Sequence, residues 1–323
     1  ITNFMKILIT GVAGFIGFSL AKDLLENSKC KIYGIDNLDN YYSVKLKEKR
    51  IEILNNKNNF YFKKIDLNSN KLQNYLKKKK FNYVFHFAAQ AGVRYSLINP
   101  EKYINSNILG YTNLLENLDT SLLKKIIYAS SSSVYGDIKK FPTNENNKLV
   151  PRNVYGYTKI INEHMATYYA RKFDIPFIGL RFFTVYGVWG RPDMFILKIL
   201  ESNHRKKIFS LNNNGNHLRD FTSIKDVIKI CKKVMNKKYK ENKIYNVCSN
   251  KPILITKVLA LIEKKIGKIN YKNIPKNKAD VLNTHGNNIR IKKELNYKNF
   301  VNFESELNKL IDWYVLIKKK NFF

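Results

Sequence analysis

An open, doubly wound parallel β-sheet covered by helices on both faces, with a smaller mixed α/β lobe, is the α/β architecture this 323-residue sequence predicts. Three observations carry it. Short, continuously apolar runs recur at intervals that leave room for intervening helices, the pattern of strands buried on both faces. A glycine triplet stands where the first run turns into the first helical stretch. After Gly187 the texture changes to shorter elements broken by Asn- and Gly-rich turns.

Taken in order, residues 6–10 read as a strand, 15–26 as a helix and 31–35 as a second strand. Residues 61–65, 83–87, 125–129 and 177–182 continue the strand series. The run Lys77-Lys78-Lys79-Lys80 closes a helix, whose negative end suits cations. Residues 153–173 form a long helix ended by Asp174-Ile175-Pro176, since the residue before proline resists the α region. Further on, 212–216 is a turn, 223–235 a helix, 243–247 a strand, and 255–266 and 303–317 are helices. The expected division is a larger domain over 1–186, with a returning segment near 222–249, and a second lobe over 187–323.

The net charge of +33 raises nucleic-acid binding, but only nine of the 58 basic residues are Arg, and Lys is spread along the whole chain. With Asn, Ile, Tyr and Phe also abundant, this reads as coding bias, and no nucleic-acid partner is expected. No stretch reaches the ~18 apolar residues of a membrane span, so no membrane association is expected. Three scattered cysteines point to a reducing, cytoplasmic setting. Five histidines without HExxH spacing predict no metal site. Residues 6–20 mimic a signal peptide, but regular glycines and the charges of Lys22, Asp23 and Glu26 fit a folded start, with Met5 as a candidate initiator.

Gly11-Val12-Ala13-Gly14-Phe15-Ile16-Gly17 spans the first strand–helix turn. Gly11 permits the turn, Gly14 lets a pyrophosphate approach the backbone, and Gly17 allows close helix–sheet packing. The free N–H groups and positive dipole of a helix start favour that pyrophosphate. Asp36 ends the second strand nineteen residues after Gly17. A carboxylate there binds ribose hydroxyls and repels a 2′-phosphate, which favours NAD over NADP in a Rossmann-type domain. The plainer reading of Asp36 is a solvated strand end. Asp66, closing the third strand, is placed to meet the adenine, or is likewise only a strand end.

Tyr155 and Lys159 stand four apart, on one helical face. A tyrosine with pKa near 10 is a poor base at neutral pH, but a neighbouring ammonium and a nicotinamide cation favour the phenolate. A shift of about three units makes it a competent general base. The serine run Ser130 to Ser133 at a strand end strengthens this reading.

On these residues the chain resembles the extended short-chain dehydrogenase/reductase family, and more narrowly the UDP-glucuronate 4-epimerases. The resemblance runs from Met5 to about Tyr314 through residues 34–38, 87–96, 128–136, the Tyr155/Lys159 pair, 180–187, 189–193 and 219–222. It implies hydride shuttling on tightly held NAD. Tyr155, helped by Ser131, takes the proton of the sugar C4 hydroxyl, and a 4-keto intermediate turns over and regains hydride on its other face. It further implies that Lys159 holds the nicotinamide ribose, and that Gly11, Gly14, Phe15, Ile16, Gly17, Asp36, Asn37, Asp66, Leu67, Ala88 and Ala89 surround the cofactor. The substrate, a UDP-sugar, falls to Arg94, Ser131, Ser132, Ser133, Tyr155, Thr184, Arg191, Arg219 and Asp280. Arg219 is expected on the diphosphate, a geometry Lys matches poorly, or simply beside Asp220.

The same scaffold serves several reactions. Related dehydratases carry Asp-Glu at the places of Ser132 and Ser133, decarboxylases carry Glu at Ser133, and galactose epimerases carry Asn at Thr184. Thr184 and Arg191 match enzymes that hold a C6 carboxylate, although Arg191 could equally be a packing residue. Lys278-Ala279-Asp280 departs from the family's Pro-Gly-Asp and puts the uridine contacts of that loop in question. A neutral or N-acetyl UDP-sugar epimerase, a decarboxylase, and a non-catalytic NAD sensor or scaffold are the alternatives. Helices over 102–118 and 153–173 resemble those of the family's four-helix dimer interface, so a homodimer is expected.

Overall fold

The computed structural model describes residues 4–277 and 280–319. Residues 1–3 of the segment before Met5, and Lys278 and Ala279 of the departing loop, lie outside the described residues.

The first half alternates strand and helix: β1 (Met5–Thr10), α1 (Phe15–Asn27), β2 (Cys30–Asp36), α2 (Val44–Asn55), β3 (Phe60–Lys64), α3 (Asn70–Leu76) and β4 (Tyr83–His86). There follow α4 (Pro100–Tyr103), a π-helical turn (Ile104–Leu109), α5 (Gly110–Glu116), β5 (Lys125–Ser131), α6 (Val154–Phe173) and β6 (Phe177–Phe182). The second half contains β7 (Thr184–Tyr186), α7 (Phe195–His204), β8 (Phe209–Asn212), β9 (Leu218–Ser223), α8 (Ile224–Asn236) and β10 (Lys243–Val247). It ends with β11 (Pro252–Leu254), α9 (Ile255–Ile266), β12 (Tyr271–Ile274), α10 (Ile289–Glu294) and α11 (Phe303–Lys319).

Seven strands form one parallel sheet in the order β10-β6-β5-β4-β1-β2-β3. The order reverses between β1 and β4, and such a switch point opens a crevice at the carboxyl ends of the strands. Alternation along β1 explains the two cores. Ile7 and Ile9 pack with Phe18, Leu24 and Ile230 on one face, and Leu8 packs with Tyr111, Leu114 and Tyr169 on the other. A smaller mixed sheet, β11-β9-β7, and the pair β12-β8 stand apart from it. A further core there joins α7, α9 and α11 through Ile199, Val258 and Leu307.

The predicted sheet and helices are present, with informative differences. β3 ends at Lys64, so Asp66 lies beyond the strand rather than closing it. β5 runs on to Ser131, which puts Ser130 and Ser131 on the strand itself. The expected helix over 102–118 is interrupted by the π-helical turn, where Asn107 bonds sideways to Gln90 and Thr158. The 212–216 turn divides between the end of β8 and a short 3-10 turn.

Candidate active site

Every site residue expected from the sequence lines one cleft of about 850 Å³ at the carboxyl ends of the sheet strands. Gly11 has φ +70, and a Cβ there would lie 2.5 Å from the Ala88 nitrogen. A Cβ on Gly17 would lie 2.3 Å from the Gly11 carbonyl oxygen. Only glycine fits either place. Gly14 stands at the N-cap of α1 without a side-chain cap, so the first helical N–H groups face the cleft mouth unclaimed by a capping side chain. The Asp36 carboxylate accepts from the Ala13 N–H at 3.0 Å and the Leu38 N–H at 2.8 Å. Burial pushes its pKa up, while those two N–H groups, Lys47 and Arg50 oppose the rise. Asn37 donates to Asp66 at 2.8 Å, joining two expected cofactor residues. This cradle, with its two compulsory glycines and the Asp36 carboxylate lining the cleft, fits a dinucleotide.

Tyr155 and Lys159 lie on α6, which the Asn153 side chain caps by accepting from the Gly156 N–H at 2.9 Å. Ser131 ends β5 and its hydroxyl accepts from the Ser133 N–H at 3.1 Å. The helix is locked to the sheet by Glu163, which accepts from Ser130 at 2.6 Å and from Arg181 at 2.8 and 2.7 Å. Lys159 Nζ is 5.9 Å from the centre of the Tyr155 ring and donates to Asn162 Oδ1 at 3.5 Å. Burial lowers the Lys159 pKa to about 8. The expectation that Lys159 pulls the Tyr155 pKa down is not met by the protein alone. Burial raises the phenol, and the opposing pull comes from the Ser131 hydroxyl and the Arg191 guanidinium. The physical reason is that both members of the pair are buried, so each resists charge.

The arginines expected on the substrate come from distant segments, and each rests on an internal acceptor. Arg219 does not pair with Asp220. It donates to the carbonyls of Leu218, Leu282 and Val281 at 2.9, 2.8 and 3.0 Å, and burial lowers its pKa to about 10. Asp220 is instead filled by Ser249, Asn250 and Gly286 donors, against a burial that raises it to about 6. Arg94 donates to Asp280 at 3.3 and 2.7 Å, and Asn212 adds a bond to the same carboxylate at 3.2 Å. Arg191 makes a two-point contact with Asp193, at 3.0 Å from Nε and 2.6 Å from Nη2. Thr184 opens β7, and Ser132 and Ser133 begin a 3-10 turn after β5.

Residues 7–248 match the NAD dependent epimerase/dehydratase family. The chain belongs to this family. NAD is its cofactor, and it is an enzyme of the epimerase class. It is 39% identical to Protein CapI of Staphylococcus aureus, covering 98% of this chain and all of that one. UDP-glucuronate 4-epimerase 4 of Arabidopsis thaliana is 34% identical over 97% of this chain and 76% of its own length. Among solved structures, the UDP-glucuronic acid 4-epimerase of Bacillus cereus, in complex with UDP-glucuronic acid and NAD, superposes with a TM-score of 0.91. It is 30% identical, covering 97% of this chain and 100% of that one.

Tyr41, Lys47 and Asp193 of this family member are among the cleft-lining side chains that went unassigned from sequence. Asp193 stands inside the quoted 189–193 stretch, two residues from Arg191, and that spacing was the available signal. Tyr41 has no local signal, because its partner Asp193 lies on a distant segment, whereas Lys47 reaches back to the Asp39 carbonyl and the Tyr42 ring. Among the described residues no cluster of three His, Cys, Asp or Glu is placed to hold a metal ion, and no helix is long and apolar enough to cross a membrane.

Proposed function

We propose that this enzyme inverts C4 of a UDP-hexuronic acid, interconverting UDP-glucuronate and UDP-galacturonate. One observation carries the reading: Arg191 and Thr184 line the same cleft as Tyr155, while the places after Ser131 hold Ser132 and Ser133 rather than acids. Bound NAD supplies the reversible hydride acceptor for the sugar C4. Tyr155 removes and returns the proton of the C4 hydroxyl oxygen, with Ser131 hydrogen-bonded to the same oxygen. Lys159 holds the nicotinamide ribose, and Asp36 holds the adenosine ribose beside Asn37, Asp66 and Leu67. Phe15, Ile16, Ala88 and Ala89 wall the dinucleotide, and Arg219, with the Arg94–Asp280 pair, orients the UDP part. At the ketone stage a uronate is a β-keto acid. Arg191 and Thr184 keep its carboxylate from the orientation that loses CO2, and Ser133 supplies no carboxylate to help that loss.

The cofactor cradle and the arginine-bearing lobe correspond in this reading to the divisions at 1–186 and 187–323. Ile104, Leu109, Tyr157, Ile161 and Tyr168 expose apolar surface on the π-helical turn and α6, and we assign that face to a homodimer of a cytoplasmic enzyme. A neutral-sugar reading is favoured by one feature, the Asp193 carboxylate already seated on Arg191. Incubation with UDP-glucuronate, UDP-glucose and UDP-N-acetylglucosamine in separate reactions decides between them. The expected result is UDP-galacturonate with little UDP-pentose. A pentose product, or turnover of the neutral sugars alone, removes the uronate reading.

A further inference from the structure

We propose that Asp193 is a positioning residue that dictates which edge of Arg191 meets the sugar, and that Tyr41 anchors it across the cleft. This inference rests on the uronate reading and deepens it.

The fork of Arg191 is spent inside the protein, because Nε and Nη2 both donate to Asp193. Asp193 leaves Nη1 unclaimed, in a side chain 17% exposed on the cleft wall beside the Tyr41 hydroxyl. The sugar therefore meets Arg191 at Nη1, not at the two-point fork that a free arginine would offer a carboxylate.

Asp193 is held in turn by the Tyr41 hydroxyl, which donates to Oδ2 at 3.2 Å from a residue 152 positions away. The Tyr41 ring lies 5.8 Å from the Arg191 guanidinium carbon, so one tyrosine contacts both members of the pair. Its seat is built for it. A Cβ on Gly92 would lie 2.0 Å from the Tyr41 hydroxyl oxygen, and the Gly92 carbonyl accepts from Tyr103, whose ring packs edge-on against Tyr155 at 6.2 Å. The backbone just before Arg191 is fixed as well, because Arg50 donates to the Trp189 and Gly190 carbonyls at 2.5 and 3.1 Å and to the Ala13 carbonyl at 2.8 Å. Both ends of Arg191 are thus tied to the half that carries the cofactor turn, which leaves its guanidinium little rotational choice. A pre-set guanidinium loses less freedom on meeting its ligand.

The test uses the intact enzyme with Asp193→Asn, Asp193→Glu and Tyr41→Phe, read as KM and kcat on UDP-glucuronate and on UDP-glucose. Asp193→Asn should raise the KM for UDP-glucuronate by about thirtyfold, the scale of a lost charge partner, with a smaller change in kcat and in the KM for UDP-glucose. Asp193→Glu should recover part of the loss. Tyr41→Phe should give the same pattern at about fivefold, the scale of one hydrogen bond. A merely structural Asp193 predicts equal losses on both sugars with a lower melting temperature, and that overturns the proposal. So does a lower KM for UDP-glucuronate in Asp193→Asn, which would make Asp193 a competitor of the substrate. A wild type without preference for the uronate overturns both this proposal and the uronate reading. An intact preference that Asp193→Asn leaves unchanged overturns this proposal alone.

Discussion

In the proposed reading the two walls of the cleft hold phosphates and charge by opposite means. The cofactor wall is backbone: the start of α1 leaves N–H groups without a side-chain cap, and at Gly11 and Gly17 neighbouring backbone fills the place a side chain would take. The substrate wall is side chain, with Arg94, Arg191 and Arg219 each held by an acceptor from its own protein. A backbone cradle tolerates almost no substitution but needs no charge partner. An arginine wall stays adjustable, and its specificity depends on what each guanidinium already holds.

The largest effect should come where the walls meet. Tyr155→Phe keeps the ring packing yet removes the proton acceptor, so turnover should fall about a thousandfold or more while NAD stays bound. Product chromatography and NAD content of the purified variant check it, and substantial activity would move the proton transfer elsewhere. Next, Arg191→Ala should lower kcat/KM on UDP-glucuronate by about a hundredfold and on UDP-glucose much less. Equal losses would make the arginine a packing residue and erase the contrast between the walls.

Gly11→Ala attacks the rigid wall. A side chain at φ +70, against the Ala88 nitrogen, adds strain of at least about 1–2 kcal/mol, so co-purified NAD should drop about tenfold. Full occupancy would show that this turn yields more than its geometry allows. The NAD released from the wild type should also be the unphosphorylated form, given Asp36.

A separate expected effect, on stability rather than on turnover, concerns the sheet behind both walls. His86 is buried, bonds to Thr10 at 2.8 Å, and has its pKa lowered to about 3 by burial first and Lys159 second. An unfolded histidine titrates near 6.5. The neutral ring therefore contributes stability that is present above about pH 6.5 and fades as pH falls toward 3. Urea midpoints between pH 7 and 4 should decline less steeply in His86→Gln than in the wild type. Parallel declines would assign the acid loss to other groups.

What could be read in the sequence was local and periodic. The strand series, the glycine turn, Asp36 and the Tyr155/Lys159 spacing each follow from neighbours within one or two elements. Of the smaller sheets, β7 and β11 were not legible, because they are three residues long and show no period. The π-helical turn was hidden too, since its cause is the bonding of Asn107 to Gln90 and Thr158 on separate segments.

By itself the sequence determined the parallel architecture, the dinucleotide turn and the residue types gathered around it, because burial on both faces and positive-φ turns restrict composition along the chain. Only the tertiary structure decided that Arg219 rests on carbonyls rather than Asp220, that Arg191 is claimed by Asp193 and Tyr41, and that burial outweighs Ser131 and Arg191 at Tyr155. These outcomes depend on which distant groups desolvate one another. Desolvation is a property of the packed interior, and no short stretch of chain encodes it.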